Sequence, residues 1–377
     1  MGTQNNSNPT DGDLSSSAAT LVTAQMQLAK AVSQPRRPRP PPCHTFGVAI
    51  ICALSIEATA VAALFEKRWD DTALDKTDSD VNSYSVGTIG PHRVVLVHMA
   101  GMGKVNGTTA AENLRPSFPG LKLVLLVGIC GGAPKAFGKM SDELLLGDVV
   151  VSTGVVQYDL GRRFDDGRFV TKDEPTAKLS RLSVEAHALL AKLQAEPDRQ
   201  EFSDSVSLHL TSIHQKLQNK SAYPGRSKDR LFKPDYRHMH RTPPGCPKCT
   251  ANLEVCLKAV EKTCEELGCG QQASDLESRL RPEQLSQPVV HFGLVGSGDT
   301  VMRSGRDRDE IARRHGVIAF EMEAAGMWES MRACSCLVIK SVCDYADSHK
   351  NKMFQGYAAA VAAATARALL ERWRPCK

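Results

Sequence analysis

From Phe46 onward the chain alternates between short, almost wholly apolar runs and longer stretches in which alanine and leucine recur at helical spacing. FGVAIICAL (46–54) is a compact apolar run suited to a buried parallel strand, and IEATAVAALFEKRW behind it reads as a helix. SYSVGTIG and HRVVLVHM, within 83–99, predict two strands joined by a turn at Gly90–Pro91. AGMGKVNGTTAAENLRPSF (100–118) is a glycine loop feeding a helix, and LKLVLLVGICGG (121–132) and DVVVSTGVVQYD (148–159) are further strands. VVHFGLVGSGD (289–299), GVIAF (316–320) and CLVIKSVCD (336–344) supply three more, and the Ala-rich GYAAAVAAATARALLERW is a closing helix. Strands alternating with helices indicate one α/β domain with a mostly parallel or mixed sheet.

Two segments break this rhythm. Residues 1–43 are polar and then proline-rich, ending in PRRPRPPPC, and are expected to be a disordered leader, transiently helical at Gln25–Val32. Its arginines read as part of a solvated linker rather than a docking or localisation signal. Residues 171–286 hold amphipathic stretches (LSVEAHALLAKLQ; ANLEVCLKAVEKTCEEL) but few strand candidates, as expected of a partly helical insertion in a domain spanning 44–377.

At 377 residues and 42% hydrophobic the chain can bury a sizeable core. The net charge of +5 is scattered or gathered in linkers, and only 5% of residues are aromatic, which disfavours a nucleic-acid surface. No run reaches the roughly 18 apolar residues a membrane span needs, and residues 1–43 lack the apolar centre of a secretory signal. A cytoplasmic protein is expected. Of twelve cysteines, Cys52, Cys130, Cys336 and Cys343 fall inside apolar strand patterns, which suits buried free thiols.

The chemistry concentrates where strands end. In GVIAFEMEAAGMWE (316–329), Glu321 and Glu323 flank Met322 as an apolar strand gives way to an Ala-rich helix. Burying an unpaired carboxylate is costly, so acids here imply that something polar docks beside them. A sugar diol fits, because one carboxylate accepts hydrogen bonds from two neighbouring hydroxyls. A second acid, Asp344, ends the strand CLVIKSVCD. Open α/β sheets bind ligands beyond the carboxyl ends of their strands, and two acids at two such ends suggest a nucleoside site.

These motifs resemble, in order and spacing, the nucleoside phosphorylase and nucleosidase superfamily, in particular a fungal branch with a long central insert. The similarity covers about residues 46–165 and 289–370. It implies a three-layer α/β fold, a central mixed sheet flanked by helices, interrupted by the partly helical insertion. AGMGKVN resembles the family's glycine loop near the ribose. VGICGG resembles the wall of the base pocket, which places Cys130 and Gly131 against the base. Cys130 is read as a small buried residue and not as a nucleophile, since no activating base lies near it in sequence. GSGDTVM resembles the segment that covers the purine, with Val301 and Met302 at the covering positions. By the family pattern Glu323 takes the ribose hydroxyls and Met322 packs on the sugar face; Glu321 is divided between a site role and a helix N-terminal charge. Asp344 falls where the family's aspartate protonates the leaving purine, a role that needs a carboxyl kept neutral, as desolvation can do. Asp347 suits a turn-capping role.

What attacks the sugar depends on the first loop. The family's phosphorylases carry a Gly-Asp-Pro-type loop with an arginine after the first strand; this chain has CALSIEATA. Glu57 falls where the nucleosidase branch places the glutamate that deprotonates water, and a carboxylate there would repel phosphate. The competing reading is an exposed glutamate in a helix's first turn. Two departures affect the water network: Ile129 replaces a family serine, and Lys340 replaces an arginine, keeping the charge beside the water but losing the bidentate fork. The resemblance thus implies a purine nucleoside N-ribohydrolase, with no cofactor, a purine nucleoside as partner, and assembly as a homo-oligomer. The alternatives are a phosphate-dependent phosphorylase and a catalytically idle nucleoside sensor.

One motif stands outside this scheme. HMHRTPPGCPKC offers His238, His240, Cys246 and Cys249 at plausible zinc spacing. With a single Cys-x-x-Cys knuckle, no metal is assigned from sequence, and Cys256, Cys264 and Cys269 are expected to pack in helices.

Overall fold

The computed structural model describes residues 2, 37–134, 143–172, 178–179, 182–241, 246–251, 255–277, 287–331 and 334–374. The chain divides into Met1–Pro38 and a unit of Arg39–Lys377, to which all that follows refers. Most of the proline-rich leader, including Gln25–Val32, lies outside the described residues.

Strand β1 (Val48–Cys52) leads into α1 (Ser55–Ala62), then β2 (Lys67–Arg68), β3 (Ser83–Ile89) and β4 (His92–His98). Helix α2 (Lys104–Ser117) returns the chain to β5 (Leu123–Gly132), and β6 (Val149–Gln157) follows. A hairpin, β7 (Gly161–Arg163) and β8 (Phe169–Thr171), and the short β9 (Lys178–Leu179) precede two helices, α3 (Val184–Gln194) and α4 (Asp198–Lys216). Three minimal helices come next: α5 (Pro247–Ala251), α6 (Leu257–Val260) and α7 (Cys264–Leu267). The rest is β10 (Val290–Ser297), α8 (Gly305–His315), β11 (Val317–Glu321), α9 (Ala324–Ser330), β12 (Ser335–Asp344) and α10 (Gln355–Arg372).

The main sheet runs β11-β10-β6-β12-β5-β1-β4-β3-β2. It is mixed: β5 lies parallel to β1 and β12, while β12 and β6 are antiparallel. The alternation of a strand sorts its side chains between two cores. Val48 and Ile50 of β1, Leu125 of β5 and Leu337 of β12 face one, with α1 and α10. Ala49, Ile51, Leu126 and Val338 face the other, with α2 and α9. Two helical layers around one sheet give the expected three-layer fold.

Helix α10 is apolar on nearly every side, and Ala358–Ala364 are fully buried. A helix of this kind must be covered all round. The cover comes from the segment read as an insertion: α4 lies on α10, and its Phe202, Val206, Leu210 and Ile213 join the same core. Part of residues 171–286 is therefore a layer of the main body.

Two irregularities shape the end of the sheet where the candidate acids lie. The tip of β11 crosses onto β5 in antiparallel pairing, Ala319 with Gly132 and Phe320 with Gly131, which closes part of the sheet on itself. The β12–β5 register also slips between Val342 and Asp344, so that Asp344 stands opposite Gly131. Such irregularities re-aim side chains. Here they bring the acids of two strand ends to one place.

Candidate active site

A cavity of about 690 Å³ opens at that end, lined by Glu57, Cys130, Gly131, Phe320, Met322, Glu323, Lys340 and Asp344, with Val301 and Arg303 at its edge. Its size suits a small-molecule ligand. Among the predicted site residues, Met302 is the exception. It packs with Tyr158, Phe320 and Ala133 in a small core, so it does not line the cavity. Val301 is the exposed neighbour that lines the cavity.

Glu57 sits in the first turn of α1, where glutamates usually face water, yet it is 2% exposed. Its side chain folds back: Oε2 accepts from the backbone N–H of Ala53 and Leu54, both at 2.9 Å, and Oε1 from that of Ile129 at 2.8 Å. The exposed-glutamate reading is thereby overturned. Gly128 makes the pose possible, since a Cβ there would lie 2.1 Å from Oε1 of Glu57. Burial pushes the Glu57 carboxyl up and Glu323 adds to the rise, while the Lys340 charge and the backbone donors oppose it.

Lys340, on β12 and 1% exposed, donates to Oε2 of Glu323 at 3.0 Å. Burial alone would discharge the amine, but Glu323, Glu57 and Glu321 together hold it protonated. Burial likewise works against the Glu323 anion and is outweighed by the Lys340 charge and hydrogen bond, helped by backbone donors, so its carboxyl stays below the usual range. One of those donors is the N–H of Gly103, 3.3 Å from Oε1. Gly103 has φ of 103°, a left-handed conformation that favours glycine. The glycine loop thus reaches Glu323 through its backbone.

Glu321 lines the same cavity and also bonds to the start of the helix behind it. Its carboxylate accepts from the backbone N–H of Glu323 at 2.9 Å and of Ala324 at 3.0 Å, where α9 begins. Burial, and then the Glu323 charge, push its carboxyl up to about 7. Cys130 is buried, and that burial raises its thiol pKa well above the ordinary value, in keeping with a packing role.

Asp344 differs from its expected setting. It is buried, but not as a lone acid in apolar surroundings: Oδ1 accepts from the N–H of Ala346 at 2.9 Å and faces Nζ of Lys350 at 3.2 Å. Lys350 carried no sequence signal, because the pairing depends on the turn through residues 345–349. Asp347 forms that turn by accepting from the N–H of His349 at 2.8 Å. Phe320 and Arg303 are two further lining residues missed from sequence; Phe320 looked like ordinary strand filling.

The site therefore unites a clamped, proton-avid carboxylate (Glu57), an ionised carboxylate locked by an ammonium (Glu323–Lys340), and a second acid–ammonium pair (Asp344–Lys350). A profile of the phosphorylase superfamily matches residues 47–204 and 213–373, most of the chain. The chain belongs to the phosphorylase superfamily.

Among superfamily relatives, a nucleotide-binding leucine-rich repeat (NLR)-like protein of Hyaloscypha variabilis is 31% identical over 345 residues, which make up 89% of this chain. The chain spans 30% of that protein's length. A 5′-methylthioadenosine/S-adenosylhomocysteine nucleosidase of Mycobacterium bovis is 33% identical over 120 residues, 32% of this chain and 41% of the relative. The solved structure of futalosine hydrolase from Helicobacter pylori superposes with a TM-score of 0.51 at 16% identity, covering 87% of this chain and 99% of that one, a likeness of fold. Among the described residues no helix is long and apolar enough to cross a membrane.

Proposed function

We propose that this chain is a purine nucleoside N-ribohydrolase, cleaving the N-glycosidic bond with water to give free base and ribose. The observation that carries the reading is the charge arrangement around Lys340. Three buried carboxylates (Glu57, Glu321 and Glu323) act on this one ammonium, which is already committed to Glu323. Such a cluster disfavours a phosphate dianion and suits a neutral nucleophile. The likeness to a nucleosidase over part of the chain supports the same choice.

In this reading Glu57 takes a proton from water, aided by a carboxyl whose proton affinity is raised by burial. Glu323, kept ionised by Lys340, accepts hydrogen bonds from the ribose 2′- and 3′-hydroxyls, and Met322 packs on the sugar. The Asp344–Lys350 pair supplies the proton that makes the purine a better leaving group, with Lys350 as the adjacent ammonium. Gly131 and Phe320 bound the base, and Val301 covers it from the edge.

Base release from inosine and adenosine in phosphate-free buffer, followed by liquid chromatography, tests the activity. Steady release supports the hydrolase. Release only when phosphate is added points to the phosphorylase alternative, and tight binding without release points to a nucleoside sensor. The match to about a third of an NLR-like protein gives the sensor reading its own observation.

A further inference from the structure

The cysteines and histidines outside the nucleoside site are not scattered. They form two tetrads, His238–Cys264–Cys269–His349 and His240–Cys246–Cys249–Cys256, and within each the ligand-capable atoms all lie within 4.8 Å of one another. In the first tetrad, Sγ of Cys264 is 3.5 Å from Nδ1 of His349 and 3.7 Å from Nδ1 of His238, and Sγ of Cys269 is 3.6 Å from the latter. In the second, Nδ1 of His240 is 3.4 Å from Sγ of Cys249 and 3.9 Å from that of Cys256, and the sulfurs of Cys246 and Cys256 are 3.9 Å apart. Ordinary zinc bond lengths give tetrahedral edges of about 3.8 Å between sulfurs and about 3.6 Å between sulfur and nitrogen. The spacings fit those edges, and the sulfur pair is far too long for a disulfide, whose bond is about 2.0 Å.

The imidazoles of the first tetrad are already set for metal binding. Nε2 of His238 lies 3.0 Å from the carbonyl of Lys262, and Nε2 of His349 lies 2.9 Å from that of Tyr236. A carbonyl only accepts, so each Nε2 carries the proton and each Nδ1 presents its lone pair to the tetrad. Backbone carbonyls fix metal-binding histidines in this way.

The surrounding segment also needs a staple. Helices α5, α6 and α7 have five, four and four residues, too short to hold themselves. Their shared core is a small cluster around Phe232, Ala259 and Leu267, to which Cys249, Cys256 and Cys269 belong and against which Cys246 and Cys264 pack. A core this small rarely suffices without metal or disulfide, and no disulfide joins the described cysteines.

We propose that this chain carries two structural zinc ions, one held by His238, Cys264, Cys269 and His349, the other by His240, Cys246, Cys249 and Cys256. The sequence suggested a single His-x-His/Cys-x-x-Cys set, but the structure separates its members. Two extended residues advance the backbone about 6.6 Å, so His238 and His240 serve neighbouring ions rather than one. Cys256, Cys264 and Cys269, read as helix packing, complete the two sets, and His349 comes from the turn that follows β12. Since His349 follows the Asp344 turn, the first ion ties the insertion to the active-site wall, where Lys262 and Thr263 line the same cavity as Asp344.

The test is metal counting on the full chain, purified in reducing, metal-free buffer after growth with zinc. Plasma mass spectrometry should find two zinc ions per chain. Cys269→Ser and Cys246→Ser should each retain one, and the double variant none. Should a variant fail to fold, the wild-type protein answers alone: titration with p-hydroxymercuribenzoate should release two equivalents of zinc as the five tetrad cysteines react. Cobalt substitution should give the visible bands of tetrahedral, thiolate-bound metal. A folded wild-type chain that lacks zinc, takes up none when it is added, and has freely reactive or disulfide-paired tetrad cysteines overturns the proposal. A single equivalent overturns the assignment of two ions.

Discussion

Replacing Lys340 by methionine probes the electrostatic centre of the site. Lys340 and Glu323 are both buried, with nitrogen and oxygen 3.0 Å apart. At an effective dielectric of about 20, unit charges at this 3.0 Å separation attract by about 5.5 kcal/mol. Methionine fills most of the lysine's volume, so the main loss is electrostatic, and leaving one buried charge unpaired typically costs about 3–5 kcal/mol. The pH dependence carries a sign. Glu323 has a folded pKa below its unfolded value, so its contribution to stability is present above about pH 4.3 and lost as pH falls through the folded pKa. In Lys340→Met the unpaired, buried Glu323 can take a proton instead, so the variant should lose about 3–5 kcal/mol at pH 7 and markedly less near pH 4, read as urea midpoints at both pH values. Adding Glu323→Gln should restore much of the loss at pH 7, because both partners are then uncharged. A loss below about 1 kcal/mol at pH 7, an equal loss at both pH values, or no rescue in the double variant refutes the buried-pair reasoning.

Other variants separate binding from chemistry. Glu57→Gln should lower turnover by about 10²–10⁴-fold, the usual worth of a general base, while calorimetry still finds nucleoside binding; near-normal turnover would remove Glu57 from the chemistry. Gly128→Ala, whose Cβ would meet the Glu57 carboxylate, should cut turnover by a similar factor with circular dichroism unchanged, and a fully active variant would show that the clamped pose is dispensable. Because burial raises the Glu57 pKa, the acid limb of the rate profile should lie above the pKa of free glutamate, about 4.3. Glu321, with its carboxyl pushed up to about 7, binds its proton more tightly folded than unfolded. Its share of stability is therefore fully present below about pH 4.3 and lost as pH rises to about 7. Urea midpoints of Glu321→Gln should lack this component, and an unchanged slope would contradict it.

What could be read from sequence was mostly local. The apolar runs became strands because a buried strand needs both faces apolar, and the acids after Phe320 and Cys343 stood out as site candidates because burying an unpaired carboxylate is costly. Glu57 was readable as a position but not as a pose, since its burial depends on Gly128 from another strand. The rest was non-local. Lys350 meets Asp344 only through the Asp347 turn, and Met302 turns inward because Tyr158 and Phe320 pack there. The insertion gave no hint that α4 would cover α10, although so apolar a helix required a cover. The two tetrads draw residues from 238 to 349, a span over which spacing alone cannot pair ligands.

We propose that water, and not phosphate, attacks the sugar beside Glu57. Incubating the chain with inosine or adenosine, with and without phosphate, and identifying the sugar by mass spectrometry tests it most directly. Free ribose formed at the same rate in both conditions is the predicted result; ribose 1-phosphate formed only when phosphate is present would contradict it.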